Sequence, residues 1–172
     1  IHEAGYDRPI IVQYFEYLGN VFRGDFGTTV SDNRTITEVL TTFGAATLEL
    51  TFYALIVAFA VGIPLGLVAA YFRDRWPDAI LRVFAVMTYA VPVFFAGLVL
   101  KLVFSVNLGI LPVAGRATTR TETLLRSIDG ATGIYIIDAL RTGRGDLISD
   151  VLLHSVLPGL ALGMLTAGVF LR

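Results

Sequence analysis

Residues able to do chemistry are few and scattered in this chain. Its 172 residues include two histidines, His2 and His154, a single lysine, Lys101, and no cysteine. A thiolate nucleophile is therefore absent, and a His/Cys metal cluster has too few ligands to draw on. No glycine-rich phosphate loop is followed by lysine, and no Gly-x-Ser-x-Gly elbow occurs. The expectation is a chain with no catalytic, cofactor-binding or metal-binding residues of its own. Hydroxyl and aromatic groups do gather at one point inside an apolar run, where Thr88, Tyr89, Phe94 and Phe95 flank Pro92. Such a set could line a path for a polar solute, with hydroxyls to hydrogen-bond it and rings to wall it. Ordinary helix packing accounts for the same four residues equally well.

The elements that would position these residues are apolar runs at 50–70, 83–100 and 155–171, each flanked by ionisable side chains. About 20 residues at about 1.5 Å rise cover the roughly 30 Å of bilayer hydrocarbon, so each run reads as a membrane-spanning helix. Composition agrees, with 55% hydrophobic residues, 16% charged residues and a mean hydropathy of +0.73. A net charge of -1 gives no reason to expect nucleic acid as a partner. The fold class is all-α, a polytopic helical membrane protein with short exterior helices. Because the chain begins at Ile1 without a methionine and stops at Arg172 at the end of a run, it reads as a fragment of a longer polypeptide.

Within the runs, small residues recur at helical spacing. Ala54, Ala58, Gly62, Gly66 and Ala70 line one face of the first, and Gly159, Gly163 and Ala167 do so in the third. Small stripes let helix backbones approach closely in lipid, where van der Waals contact supplies the association energy. Pro64 and Pro92 each remove an amide donor inside a run and predict kinks, which serve either a gate or plain architecture. Glu49 sits at the outer start of the first span, where a helix N-terminus and the headgroup region tolerate it. Lys101 lies roughly one turn from the outer end of the second span and can snorkel. No carboxylate, histidine or arginine lies near mid-depth, as a proton-coupled carrier or an intramembrane protease would require.

Arginine placement sets the orientation. Arg73, Arg75 and Arg82 cluster around the short connection after the first run, whereas the first 46 residues carry three arginines (Arg8, Arg23, Arg34) against six acids. Short arginine-rich loops stay in the cytoplasm. The resulting plan has an exterior segment 1–46 with an amphipathic helix, a span 47–72, a cytoplasmic loop 73–80, a span 81–106, an exterior loop 107–154 with short helices, and a span 155–172 that returns Arg172 to the cytoplasmic face. In the first segment Pro9 suits the first turn of a helix whose apolar residues run from Ile10 to Phe22, with Gly24 as its terminator. Thr35 and Glu38 fit a capping box that starts a short helix towards Gly44. Asn33, Arg34 and Thr35 form a weak glycosylation sequon, relevant only to a eukaryotic secretory route. The stretch 116–153 contains helix-like pieces at 134–140 and 146–153. It either caps the path, contacts a partner, or is a passive insertion.

A resemblance runs through these residues. Gln13-Tyr14, Leu18-Gly19, Gly24-Asp25-Phe26-Gly27-Thr28-Thr29, Ala46-Thr47-Leu48-Glu49-Leu50 and Gly62-Ile63-Pro64-Leu65-Gly66 come first. Pro92 with Phe94, Leu108-Gly109-Ile110-Leu111-Pro112-Val113-Ala114-Gly115, and His154 with Leu157-Pro158 follow in order. In this order and spacing they resemble the first-type inner-membrane permease subunit of binding-protein-dependent ATP-binding-cassette importers of the dipeptide, oligopeptide and nickel branch. The resemblance implies a six-span permease in a bacterial or archaeal cell (inner) membrane, of which the chain holds spans two to four. It also implies a second homologous permease, cytoplasmic ATPase subunits that bind the ATP, and an extracytoplasmic solute-binding protein. The coupling loop to the ATPase would lie beyond this chain. The alternative is a secondary transporter or channel subunit not driven by ATP; a membrane-anchored enzyme or receptor lacks a signature in the exterior segments.

Overall fold

The computed structural model describes residues 9–29 and 33–170; His2, Arg8 and Arg172, which entered the reading of ligands and charge above, lie outside them. The described residues are helical, with no strand beyond one isolated antiparallel bridge between Thr28 and Thr35. They form two compact units, 1–44 and 45–172.

In the first unit, α1 (Ile10–Phe22) is amphipathic and buries none of its residues. Pro9 precedes the helix rather than entering its first turn, because its ψ of 138° is extended, yet its carbonyl accepts from the amides of Val12 and Gln13. Gly24 closes the helix at φ +82°, a left-handed conformation that favours glycine, and its amide returns to the Val21 carbonyl at 2.9 Å. Thr35 Oγ1 accepts from the Glu38 amide at 3.2 Å and so caps the start of α2 (Ile36–Tyr71). The short helix expected to run towards Gly44 is not a separate element, since α2 continues through that glycine. One interior glycine costs only about 1 kcal/mol, too little on its own to stop a helix.

From Ala45 onward the chain belongs to the second unit. Here α2 and α7 (Gly145–Phe170) are each long and apolar enough to cross a membrane. Between them the second apolar run divides into α3 (Trp76–Ala90), α4 (Val93–Leu100) and a π-helical segment (Lys101–Asn107). These pass the same test only as a pair, bent by 100° at the break. The sequence predicts one kinked span at 81–106; the structure breaks it. Pro64, by contrast, sits within the unbroken α2.

The turn from α2 to α3 is fixed by Asp78. Its carboxylate takes both arms of Arg82, at 3.0 and 2.8 Å, and the Asp74 amide at 3.0 Å, while Asp74 holds the turn at φ +59°. Residues 107–154 are an ordered cap. α5 (Thr119–Arg126), α6 (Tyr135–Thr142) and the first turns of α7 enclose a small core of Ala117, Leu125, Tyr135, Ala139, Leu147 and Val151. The piece at 146–153 is the start of α7 itself, and α5 goes unforeseen because its Thr/Arg-rich sequence has little apolar periodicity.

Packing in the second unit turns on small residues of α7. A Cβ at Gly163 would lie 2.5 Å from Val57 Cβ and 2.8 Å from the Ala54 carbonyl, and one at Gly159 would lie 3.3 Å from Tyr53 Cβ. Ala54, Ala58 and Gly62 are buried, Gly66 is half-buried and Ala70 is exposed, so the stripe on α2 is covered along only part of its length. Phe52, Ile56, Phe59, Ile63 and Leu67 point outward, as suits a helix whose solvent is lipid or another helix. Gly163→Leu is expected to cost about 1–3 kcal/mol or more through overpacking, because Val57 and the Ala54 backbone leave no room. Leu67→Val, on the outward face, should be mild. Thermal stability and monodispersity in detergent, compared across the two variants, check this.

Candidate functional site

Within eight residues the chain turns from α3 into α4, and this corner holds the four residues singled out as a path lining. Thr88 is half-buried and donates its hydroxyl to the Phe84 carbonyl at 2.9 Å. Thr88 and Tyr89 approach α7, where a Cβ at Gly168 would lie 3.7 Å from Thr88 Cβ and 3.4 Å from the Tyr89 ring. Phe94 and Phe95, on the first turn of α4, are 69% and 53% exposed and belong to no core cluster. The structure thus brings Thr88 and Tyr89 onto α7 and turns the two phenylalanines away.

The backbone at the corner matters more than the rings. Pro92 has no amide to give the Thr88 carbonyl, and the Val91 amide still reaches Met87 at 3.1 Å. Past the corner, Phe95 and Ala96 donate to the Pro92 carbonyl at 2.9 and 3.1 Å, and α4 has no side-chain cap. The Thr88 and Ala90 carbonyls and the Val93 and Phe94 amides consequently have no backbone partner among the described residues. Interrupted helices persist at membrane depth only where protein or a water-filled cavity receives such groups.

A second polar centre escaped the sequence reading. α2 begins at Ile36, roughly three and a half turns before Glu49, so the α2 N-terminus is not what steadies that carboxylate. Glu49 is 5% exposed and sits instead at the N-terminus of α6. Its Oε1 accepts from the Ile136 amide at 2.8 Å and the Tyr53 hydroxyl at 3.3 Å; its Oε2 accepts from the Tyr135 amide at 3.3 Å and from Arg116. Ile134, the residue before α6, offers no side-chain cap, so Glu49 supplies one from a distant part of the chain. The Arg116 guanidinium also donates to the Gly133 carbonyl at 2.9 Å and lies 3.8 Å over the Tyr135 ring, whose hydroxyl accepts from Arg126 at 3.0 Å. Asp138, 1% exposed, ties the preceding loop by accepting from the amides of Thr132 and Gly133.

One signal for this centre existed in the sequence. Glu49 is the sole acid from residue 45 to 71, and a buried carboxylate in an apolar helix needs a cation. Which of five arginines in 107–154 would answer could not be read from spacing. Among the described residues no group of three or more His, Cys, Asp or Glu could hold a metal ion. Removing one partner leaves the other charge buried, so Glu49→Gln or Arg116→Met should each destabilise by about 3–5 kcal/mol. The double variant should lose less than the sum, and a thermal-denaturation cycle of the four proteins measures that coupling.

Comparison with known proteins places this architecture. The family profile described as the binding-protein-dependent transport system inner membrane component matches residues 62–172. The chain is 38% identical, over 99% of its length, to the probable D,D-dipeptide transport system permease protein DdpB of Escherichia coli strain K12, and covers 49% of that protein. It is 33% identical, over 100% of its length, to the di/tripeptide transport system permease protein DppB of Pseudomonas aeruginosa strain UCBPP-PA14, covering 50% of it. A third relative, the glutathione transport system permease protein GsiC of Salmonella choleraesuis strain SC-B67, is 38% identical over 66% of the chain and 37% of its own length. The chain spans about half the length of the first two of these curated relatives. With its polytopic all-helical fold and a profile match over most of its length, the chain belongs to the family of binding-protein-dependent transport system inner membrane components.

Proposed function

We propose that this chain contributes part of the substrate path to the membrane subunit of an ATP-driven importer of di- or oligopeptides. The observation that carries the reading is the 100° break at Pro92, with backbone donors and acceptors that have no backbone partner among the described residues, inside an apolar run. Lipid cannot satisfy those groups, whereas water or the amides of a passing peptide can. Thr88, Tyr89, Phe94 and Phe95 then flank the path at its bend. The relatives are named for dipeptides, di/tripeptides and glutathione, all short peptides, which supports that class of cargo.

In this reading the chain is non-catalytic. Energy enters through cytoplasmic ATPase subunits that bind ATP, a second homologous permease completes the path, and an extracytoplasmic binding protein delivers the cargo. The site is a bacterial or archaeal cell membrane. Segment 107–154 faces outward and residues 73–80 face the cytoplasm. Glu49 fastens its end of α2 to α6, and about 33 Å of helix separates Glu49 from Tyr71, a bilayer's thickness. The ordered core of 117–151 supports a rigid outer cap over a passive insertion.

The complete permease alone in liposomes should not accumulate peptide; uptake should appear only with the second permease, the ATPase subunits, loaded binding protein and ATP. Concentrative uptake by the lone permease under a proton gradient would replace this reading with a secondary transporter. For sidedness, single cysteines at Asp74 and Thr119 should label oppositely with an impermeant thiol reagent outside whole cells, Thr119→Cys reacting and Asp74→Cys staying protected.

A further inference from the structure

From Leu102 to Gly115 the chain carries no ionisable side chain, although its second half opens the exterior segment 107–154. This stretch is tightly held. The Leu108 amide donates to the Val103 carbonyl at 3.0 Å, and the amides of Ile110 and Leu111 both return to the Phe104 carbonyl, at 3.0 and 3.3 Å. Gly109 makes the reversal at φ +64°, a left-handed conformation that favours glycine, and the buried Ser105 donates its hydroxyl to the Pro112 carbonyl at 2.9 Å. On this fixed turn the large apolar side chains are bare: Val106, Leu108, Ile110 and Val113 are 60%, 57%, 62% and 54% exposed. A group of apolar side chains held together at a surface marks contact with a membrane or with another protein.

Neighbouring contacts fix the depth of the turn. The uncharged stretch ends at Arg116, which is bonded to Glu49, and a Cβ at Gly115 would lie 3.8 Å from His154 Cδ2. Gly97 of α4 meets α7 at Ala161, about 10 Å along that helix from His154, so the chain climbs beside α7 and reverses near the level of Glu49. With the outer edge of the bilayer at Glu49, the reading above on which this rests, the turn lies in the interfacial region. Water there serves the backbone groups of a turn, while apolar side chains reach the acyl chains. Composition favours lipid over a protein partner. Protein interfaces ring an apolar centre with polar, hydrogen-bonding groups, whereas Asn107 is the only exposed polar side chain from 102 to 115 and the flanking Arg116 is already engaged.

We propose that the turn at 106–113 is an interfacial anchor whose apolar face is covered by phospholipid of the outer leaflet. The beginning of segment 107–154 then lies in the membrane surface, and water begins near Arg116. The stretch of chain that brings Arg116 to Glu49 is thereby held by lipid on one side and by the carboxylate on the other.

The test uses the complete permease, assembled with its partner permease in phosphatidylcholine–phosphatidylglycerol liposomes without ATP, binding protein or peptide, so that its result stands apart from transport. Leu108→Cys, Ile110→Cys and Val113→Cys, with Thr119→Cys on α5 as the control, each carry the fluorophore NBD in a background without other cysteines. Quenching is read with phosphatidylcholine spin-labelled near the headgroup end of its acyl chain, and with iodide present on both sides of the bilayer. The lipid quencher should act several-fold more strongly at the three turn positions than at Thr119, and iodide more weakly. The proposal is overturned if, in variants that assemble and melt as the unlabelled protein does, lipid quenching at the turn is no stronger than at Thr119. Strong lipid quenching at all four positions would then displace the bilayer edge from Glu49. Weak lipid quenching at all four would fault the turn alone, with iodide quenching there identifying water and silence to both quenchers identifying a protein cover.

Discussion

A carboxylate taken out of water inside an apolar helix must find enough donors to replace its hydration, and Glu49 finds four. Two are the first amides of α6, one is the Tyr53 hydroxyl a turn along its own helix, and one is the Arg116 guanidinium. With two oxygens fully used, the charge is affordable in a low-dielectric setting. The same contacts settle much else. They give α6 the N-terminal acceptor it lacks, hold Arg116 flat over Tyr135, and attach the cap of α5, α6 and the first turns of α7 to α2. Loss of the carboxylate would unpin a helix terminus and strand a guanidinium together.

Below this anchor, association is governed by closeness rather than by polarity. Gly163 lets the Ala54 carbonyl and Val57 come to α7 at distances that no Cβ would allow, and at Gly159 a Cβ would sit tightly, 3.3 Å from Tyr53 Cβ. Such contact is the main attraction between helices where the surrounding lipid is as apolar as the side chains. Because the approach is fixed on α7, the broken pair α3 and α4 can depart from a straight course and still pack, through Tyr89 at Gly168 and Gly97 at Ala161. A bend of 100° inside an apolar run is thus held by its neighbours.

Several features could be read directly. Gly24 as a terminator, Thr35 as a cap and the helices at 50–70 and 155–171 follow from local rules that depend on a residue and its near neighbours. Gly44 misled those rules, because the tendency of one glycine to end a helix is small against the helical preference of a long run in which every backbone group must be paired. α5 was hidden for the opposite reason: its sequence is polar, and its order comes from the core formed with Tyr135, Leu147 and Val151.

The sequence by itself determined that this is a helical membrane protein, where its apolar helices lie, which faces carry small residues, and that a proline interrupts the second run. These are one-dimensional properties, set by hydrophobic length and helical period. Only the tertiary structure decided that Glu49 answers Arg116 and caps α6, that Pro92 marks a sharp corner, and that Gly115 meets His154. Each of these joins residues far apart in the chain or depends on what a neighbouring helix permits. A buried charge announces that it needs a partner, but packing alone chooses which one it gets.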